Sequence, residues 1–199
     1  MLMGISEFES VLALQCAPTL RGIKAASLIS LPLDSETNTC RLIMRYASCL
    51  ACHGVSVRRI AVLSERALVL FYKSDLLKKI LARPAAKKIL GRYGYPLSDE
   101  SPLDDDAMLT FQIEYLTERI ALCESFPHEI GLFLGYPPAD VEGFIEHGGK
   151  DFRCCDFWKV YDNENAARKI FDCYHKCTND FCNRLKNGAT IQEILRRSS

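Results

Sequence analysis

Short apolar runs set the strongest limit on what this chain can fold into. The longest of them, such as 67–72, fall far below the roughly 20 apolar residues that a membrane-spanning helix needs. A secretory signal would place cations before an early apolar run, yet Glu7 and Glu9 precede the first cation, Arg21. We therefore expect a cytoplasmic protein with no membrane association.

The charge balance excludes a class of partner. The chain has 199 residues, in which 25 Lys and Arg balance 25 Asp and Glu, so its formal net charge is zero. A nucleic-acid-binding domain is usually clearly basic, and we expect no nucleic-acid partner. A small molecule or a protein remains as the partner class, and the oligomeric state stays open. The length predicts a single domain over 1–199.

The N-terminal segment carries the signals of a helix. Ser6 and Glu9 have the spacing of a capping box, in which the two residues satisfy each other's backbone N–H groups. Apolar residues follow at helical spacing, at Phe8, Leu12 and Cys16. Because proline disfavours helical backbone at the residue before it, the helix is predicted to end before Pro18.

Further runs predict a small sheet among many helices. Strand-like segments lie at 26–31, 57–63, 67–72 and 151–161. Only 64–66 separates the middle two, which is typical of a hairpin. The order of elements predicts an α/β or α+β fold. In it, a small mixed four-stranded sheet, with one hairpin at 57–72, packs with about eight to nine helices.

Polar segments predict loops and helix starts. A turn is expected at 34–38 and a loop at 98–106, and the three aspartates at 104–106 suit a helix N-terminus, where negative charge is favoured. An apolar stripe predicts a long C-terminal helix over 164–186.

Ten cysteines stand out in the composition, and cytosolic thiols stay reduced. Cys49, Cys52 and His53 match the C-x-x-C-H pattern of covalent haem attachment. We considered this cofactor and disfavour it, because no export signal accompanies the motif and the cysteines suit helix packing. Cys173 and Cys177 lie one helical turn apart and are weak metal-ligand candidates. Buried thiols acting as small apolar groups are the alternative.

Two places combine polar residues in a way that suggests chemistry. Cys16 precedes a segment with cations, including Lys24, that would lower its pKa and make it a nucleophile; the alternative is a core position. His128 and Glu129 place an imidazole and a carboxylate side by side, a pair suited to acid–base catalysis. For these two, capping and dipole roles are the alternative.

Three blocks together resemble a known family. They are 16–28 (CAPTLRGIKAASL), 126–145 (FPHEIGLFLGYPPADVEGFI) and 158–177, which starts WKVY and ends YHKC. They resemble an uncharacterised bacterial domain-of-unknown-function family of anaerobic Gram-positive organisms. The resemblance implies a one-domain cytosolic protein and identifies no activity, cofactor or catalytic residue. It draws attention to polar residues that a core alone would not require: Cys16, Thr19, Lys24, His128, Glu129, Tyr136 and Lys159.

Two hypotheses follow from these residues. The first is a small-molecule site, either binding or catalytic, where the 16–24 loop meets the 126–137 block. In it, Cys16, His128 and Glu129 are candidate catalytic residues. The candidate ligand-binding residues are Thr19, Lys24, Tyr136 and Lys159. The second hypothesis is a non-enzymatic accessory or interaction protein, with its thiols used in metal or redox handling.

Overall fold

A computed structural model describes residues 4–33, 38–97, 103–123 and 125–196. In these ranges it contains nine helices and five short strands. In chain order they are α1 (Ile5–Leu20), β1 (Ala26–Pro32), α2 (Asn38–Ala51), β2 (Ser56–Leu63), β3 (Arg66–Tyr72), α3 (Ser74–Leu81), α4 (Pro84–Arg92), α5 (Asp105–Leu122), α6 (Ile130–Phe133), α7 (Pro138–Glu146), β4 (Cys154–Cys155), β5 (Lys159–Val160), α8 (Glu164–Lys186) and α9 (Ile191–Arg196). The fold is mixed α+β, and the predicted number of helices is confirmed.

The chain divides into two compact units. The first unit comprises 1–73 with 173–199, and the second comprises 74–172. Each is described by itself below. That the whole chain forms a single domain stays a prediction.

The sheet of the first unit has three strands, in the order β1-β3-β2. The hairpin predicted at 57–72 is confirmed: β2 and β3 are antiparallel and Leu63 pairs with Arg66. Ser64 and Glu65 form the turn with φ of 45° and 61°. Positive φ at both central residues gives a turn whose twist matches the paired strands.

The predicted mixed four-stranded sheet is wrong in two respects. All strand pairings in the observed three-stranded sheet are antiparallel, and the segment 151–161 does not join that sheet. Instead, β4 and β5 pair with each other, Cys154 opposite Val160 and Cys155 opposite Lys159. The chain reverses between them, so the apolar Phe157 and Trp158 lie in a turn and their hydrophobicity does not mark a strand.

One face of the three-stranded sheet packs on α1 in the core of the first unit. Inward residues alternate along β1 and β3, as in Ile29 and Leu31, because successive side chains in a strand point to opposite faces. The predicted α1 stripe of Phe8, Leu12 and Cys16 is fully buried against them.

The boundaries predicted for α1 are wrong at both ends. Gly4 is the N-cap, and Glu9 lies inside the helix. The helix also continues through Pro18 to Leu20. A proline removes a backbone donor, but the carbonyl that loses its helical hydrogen bond belongs to Leu14, which is 62% exposed.

Glu9 has a different role from the predicted cap. Its carboxylate is buried, and Oε1 accepts hydrogen bonds from the Tyr46 hydroxyl at 2.8 Å and the Ile191 backbone N–H at 3.0 Å. A single oxygen thereby ties α1 to α2 and to the start of α9.

The helix start predicted at the aspartates is confirmed. Asp104 is the N-cap of α5, and its Oδ1 accepts from the backbone N–H groups of Asp106 and Ala107. Residues 34–37 of the predicted turn and 98–102 of the predicted loop lie outside the described residues. Within the described ranges, no helix has both the length and the hydropathy needed to cross a membrane.

We expect Glu9→Ala to lower the free energy of unfolding by roughly 2–4 kcal/mol, because a buried hydroxyl and a buried backbone N–H lose their acceptor. Urea denaturation of the full chain measures this. The exposed Glu7→Ala in the same helix is the control, with a loss of about 0.5 kcal/mol from the helix dipole. Equal losses for the two variants would contradict the role assigned to Glu9.

Candidate functional site

The candidate residues divide between the two units. Cys16, Thr19 and Lys24 belong to the first unit. The second unit holds His128, Glu129, Tyr136 and Lys159. That both groups form one site stays a prediction, and the geometry of each group is described separately.

In the first unit, Cys16 belongs to a buried polar cluster. Thr19 Oγ1 and Ser27 Oγ are hydrogen bonded at 2.9 Å, and Ser27 also bonds the Cys16 thiol. Burial raises the pKa of Cys16 to about 12, although the nearby Lys24 and the Ser27 bond act to lower it. The expectation of a lowered pKa is wrong, because desolvation outweighs the cation. The thiol is protonated at neutral pH, which fits the core alternative.

Lys24 is buried beside this thiol. Desolvation lowers the pKa of its ammonium to about 8, while Cys16 acts to raise it. A lysine of this kind releases its proton only slightly above neutral pH, where exposed lysines remain charged.

The second unit contains a cavity of about 310 Å³, which we call the aromatic pocket. It is lined by Phe126, His128, Ile130, Gly131, Tyr136, Asp140, Val141, Phe144, Cys155, Asp156, Phe157, Trp158 and Lys159. These come from α6 and the segments on either side of it, from α7, and from the β4–β5 hairpin with its turn. Three of the predicted residues, His128, Tyr136 and Lys159, therefore lie together around one cavity.

Asp140 holds the hairpin segment against α7. Its buried carboxylate accepts from the Trp158 indole N–H at 2.7 Å, the Tyr161 backbone N–H at 2.7 Å and the Asp162 backbone N–H at 3.0 Å. Hydrogen bonds to an ionised acceptor are roughly twice as strong as neutral ones. Asp140 thus fixes the indole that forms one wall of the pocket.

Two glycines let the elements around the pocket approach closely. A Cβ atom at Gly131 would lie 2.8 Å from Val141 Cγ2, and one at Gly143 would lie 2.5 Å from Tyr161 Cγ. Carbon atoms in contact sit about 3.5–4.0 Å apart. Only hydrogen fits at these positions while α7 keeps its neighbours.

Ring contacts order the pocket walls. Tyr136 stacks on Trp158 with centroids 5.2 Å apart, and burial raises the pKa of the Tyr136 phenol to about 12, so it stays protonated. The His128 imidazole meets the Phe144 ring edge-on at 5.0 Å. Lys159 Nζ lies 5.6 Å from the centre of that ring and donates to the Gly149 carbonyl at 2.7 Å. The imidazole and the ammonium thus border the same phenylalanine.

Glu129 does not share this arrangement with His128. Its buried carboxylate accepts from Arg119 Nε at 2.5 Å and from the Tyr95 hydroxyl at 3.1 Å. Burial, followed by the charge of Glu129, raises the pKa of Tyr95. The carboxylate joins α5 to the segment after α4, whereas the adjacent imidazole lines the pocket.

The remaining cysteines gather no metal site in the part of the chain that the structure describes. There, no three Cys, His, Asp or Glu side chains are placed to hold an ion. Cys173 is exposed and Cys177 is half-buried on α8. Cys52 is exposed just after α2, and the His53 carbonyl accepts from Lys73 Nζ at 2.5 Å.

Sequence reasoning missed several pocket residues. Asp140 and Phe144 lie in the block that carried the resemblance, and their i,i+4 spacing on a helix was a signal that they share a face. No such signal marks Cys155, Asp156 and Phe157, because the pattern of 151–161 predicts one continuous strand.

We expect Asp140→Ala to lower the free energy of unfolding by roughly 3 kcal/mol, because one buried and two part-buried donors lose one charged acceptor. Trp158 is the single tryptophan of the chain. Its fluorescence emission should move to longer wavelength as the released indole meets water.

Asp162→Ala is the matched control for that experiment. Asp162 is exposed and contributes only its backbone N–H to Asp140, which alanine retains. Unchanged Trp158 emission in Asp140→Ala, or an equal shift in the control, would contradict the role of this carboxylate.

A pH dependence follows from Lys24, whose pKa falls from 10.5 to about 8 on folding. Between these values the unfolded chain binds more protons than the folded chain, so rising pH favours folding. The free energy of unfolding of the parent protein should therefore rise relative to that of Lys24→Met as pH increases from 8 towards 10.5. Urea denaturation across this range measures the difference. The control Lys88→Met, at an exposed lysine, should show no such trend. If the difference in free energy of unfolding between the parent protein and Lys24→Met stays constant with pH, the desolvated ammonium is contradicted.

Comparisons with known proteins add a family and nothing more specific. The sequence matches the family described as "Protein of unknown function (DUF3793)" over residues 12–195. No curated protein matches the chain, and no solved structure does. The bacterial and anaerobic origin implied by the resemblance stays a prediction. Because the match covers nearly all of the sequence, the chain belongs to the DUF3793 family of proteins of unknown function.

Proposed function

We propose that the second unit binds a small planar ring compound carrying a negatively charged group, and that the aromatic pocket is the binding site. The observation that carries the proposal is the composition of that one cavity. Rings from two separate sequence blocks line it together with the cation of Lys159.

The walls favour a flat ligand. Five aromatic residues line the cavity: Phe126, Tyr136, Phe144, Phe157 and Trp158. Aromatic rings bind other rings by offset stacking or edge contacts, which add to the gain from burying apolar area. A volume of about 310 Å³ lies at the small end of ligand pockets, which suits one or two fused rings.

The charges favour an anionic substituent. The Asp140 carboxylate already accepts three hydrogen bonds, so its oxygens are satisfied within the fold. An ammonium has three donors, and the Gly149 carbonyl accepts one from Lys159. The donors that remain suit a carboxylate on the ligand. Asp156 also lines the cavity and would repel an anion placed on its side, which gives the ligand a preferred orientation.

The same geometry favours binding over acid–base catalysis by the His128–Glu129 pair. Glu129 already accepts from Arg119 and Tyr95, and a general base must reach the proton that it removes. A ligand-binding accessory protein is therefore the form of the proposal that the contacts support. Of the two residues of this pair, His128 lines the pocket and Glu129 does not.

Titration with 2-naphthoate tests the proposal, with quenching of the single Trp158 as the readout. We expect saturable quenching, and weaker quenching by the neutral analogue 2-naphthylmethanol. Lys159→Met keeps much of the aliphatic stem and removes the charge. It should weaken 2-naphthoate binding about tenfold, equivalent to about 1.4 kcal/mol.

The matched control is Lys88→Met, which removes an exposed lysine of α4 outside the pocket lining. It should bind 2-naphthoate as the parent protein does. Absence of saturable quenching, or no preference for the anion, would overturn the proposed ligand class.

A further inference from the structure

We propose that the aromatic pocket holds its ligand covalently: the Cys155 sulfur adds to a planar compound with a carbon–carbon double bond conjugated to a carbonyl, with Lys159 and His128 assisting. The ligand class would be aryl enones, quinones and related electron-poor ring compounds that carry the negatively charged group of the proposed function. This inference rests on the proposed function of the pocket. Its basis is a cluster of three groups, a thiol, an ammonium and an imidazole, around one cavity.

The register of the hairpin places two of the three groups together. Cys155 pairs with Lys159 across β4 and β5. Directly opposite residues in an antiparallel pair have Cβ atoms about 4.5–5.5 Å apart and share a face. Both line the pocket. The neighbouring pair, Cys154 and Val160, projects to the other face because side chains alternate along a strand.

The two adjacent cysteines differ in their surroundings. Cys155 is exposed, whereas Cys154 is half-buried and desolvation raises the pKa of its thiol. A thiolate is the nucleophilic form of cysteine, so Cys155 has the more favourable position for reaction with a ligand that enters from solvent.

Each of the three groups has a defined part in the addition. The Cys155 thiol passes its proton to the His128 imidazole, and the sulfur forms a bond to the β-carbon of the ligand. The π electron pair of the carbon–carbon double bond forms a new double bond between the α-carbon and the carbonyl carbon, and the carbonyl π pair moves to the oxygen, which gives an enolate stabilised by the Lys159 ammonium. The imidazolium then returns the proton to the α-carbon. A thiol and an enone thus give a saturated thioether, and no oxidant is consumed.

Other exposed cysteines provide an internal comparison. Cys52 follows α2, Cys123 ends α5 and Cys173 lies on α8. All three are exposed like Cys155, and none of them lines the aromatic pocket. Exposure alone therefore predicts equal labelling of the four thiols, whereas the proposal predicts a preference for one.

The experiment treats the full chain briefly with limiting N-(1-naphthyl)maleimide and measures each cysteine-containing peptide by mass spectrometry. We expect Cys155 to be modified about tenfold more than Cys52, Cys123 or Cys173, because binding in the pocket raises the effective concentration of the reagent there. Unsubstituted maleimide should show a much smaller preference. An excess of 2-naphthoate should protect Cys155 and leave Cys123 unaffected.

Two variants separate this inference from the binding proposal. Cys155→Ser should abolish the preferred adduct, while labelling of Cys52, Cys123 and Cys173 stays as in the parent protein. Lys159→Met should slow labelling of Cys155 several-fold and leave labelling of Cys123 unchanged. Saturable 2-naphthoate binding without preferred labelling of Cys155 would overturn the covalent step and leave the pocket intact. Loss of both would overturn the two proposals together.

Discussion

The aromatic pocket depends on a single carboxylate, that of Asp140. It binds an indole N–H and two backbone N–H groups at the end of the β4–β5 hairpin. A pair of two-residue strands is too short to be stable alone. The hairpin is held because a buried charge on α7 satisfies its donors. The position of Trp158, and through it of Tyr136, follows from that bond.

Two other buried carboxylates use the same physical principle. Glu9 joins three helices of the first unit, and Glu129 joins α5 to the segment containing Tyr95 in the second. A buried charge is costly unless it is hydrogen bonded, so each of these residues fits only the arrangement that supplies its donors. They specify which segments meet, while the apolar residues around them supply most of the burial.

Local patterns were sufficient to predict most elements but not their partners. The helices, β1 and the β2–β3 hairpin could be predicted because helical stripes, turns and alternation are encoded within short segments. The capping role of Glu9 and the strand at 151–161 were wrong for one reason. In each case the partner that decides the structure is distant in sequence, Ile191 for Glu9 and Asp140 for Trp158.

The candidate site was predictable in part for the same reason. His128, Tyr136 and Lys159 were found because they lie in blocks that carry a resemblance, and they line one cavity. Glu129 was found with them, yet its carboxylate accepts hydrogen bonds from Arg119 and Tyr95 outside the pocket lining. Sequence adjacency to His128 could not reveal this, because neighbouring residues at a helix start project in different directions. Cys16 likewise has a core environment that its cationic neighbours concealed.

The close approach of Gly143 to Tyr161 has a consequence for how this family can vary. A Cβ at Gly143 would lie 2.5 Å from the Cγ and 2.6 Å from the Cβ of Tyr161, so shortening the side chain at 161 to alanine would not make room for it. A family member that keeps the α7–hairpin contact should therefore keep glycine at the first position, whatever the size of the side chain at the second. That glycine would record the α7–hairpin contact, and with it the pocket, in chains whose structures have not been determined.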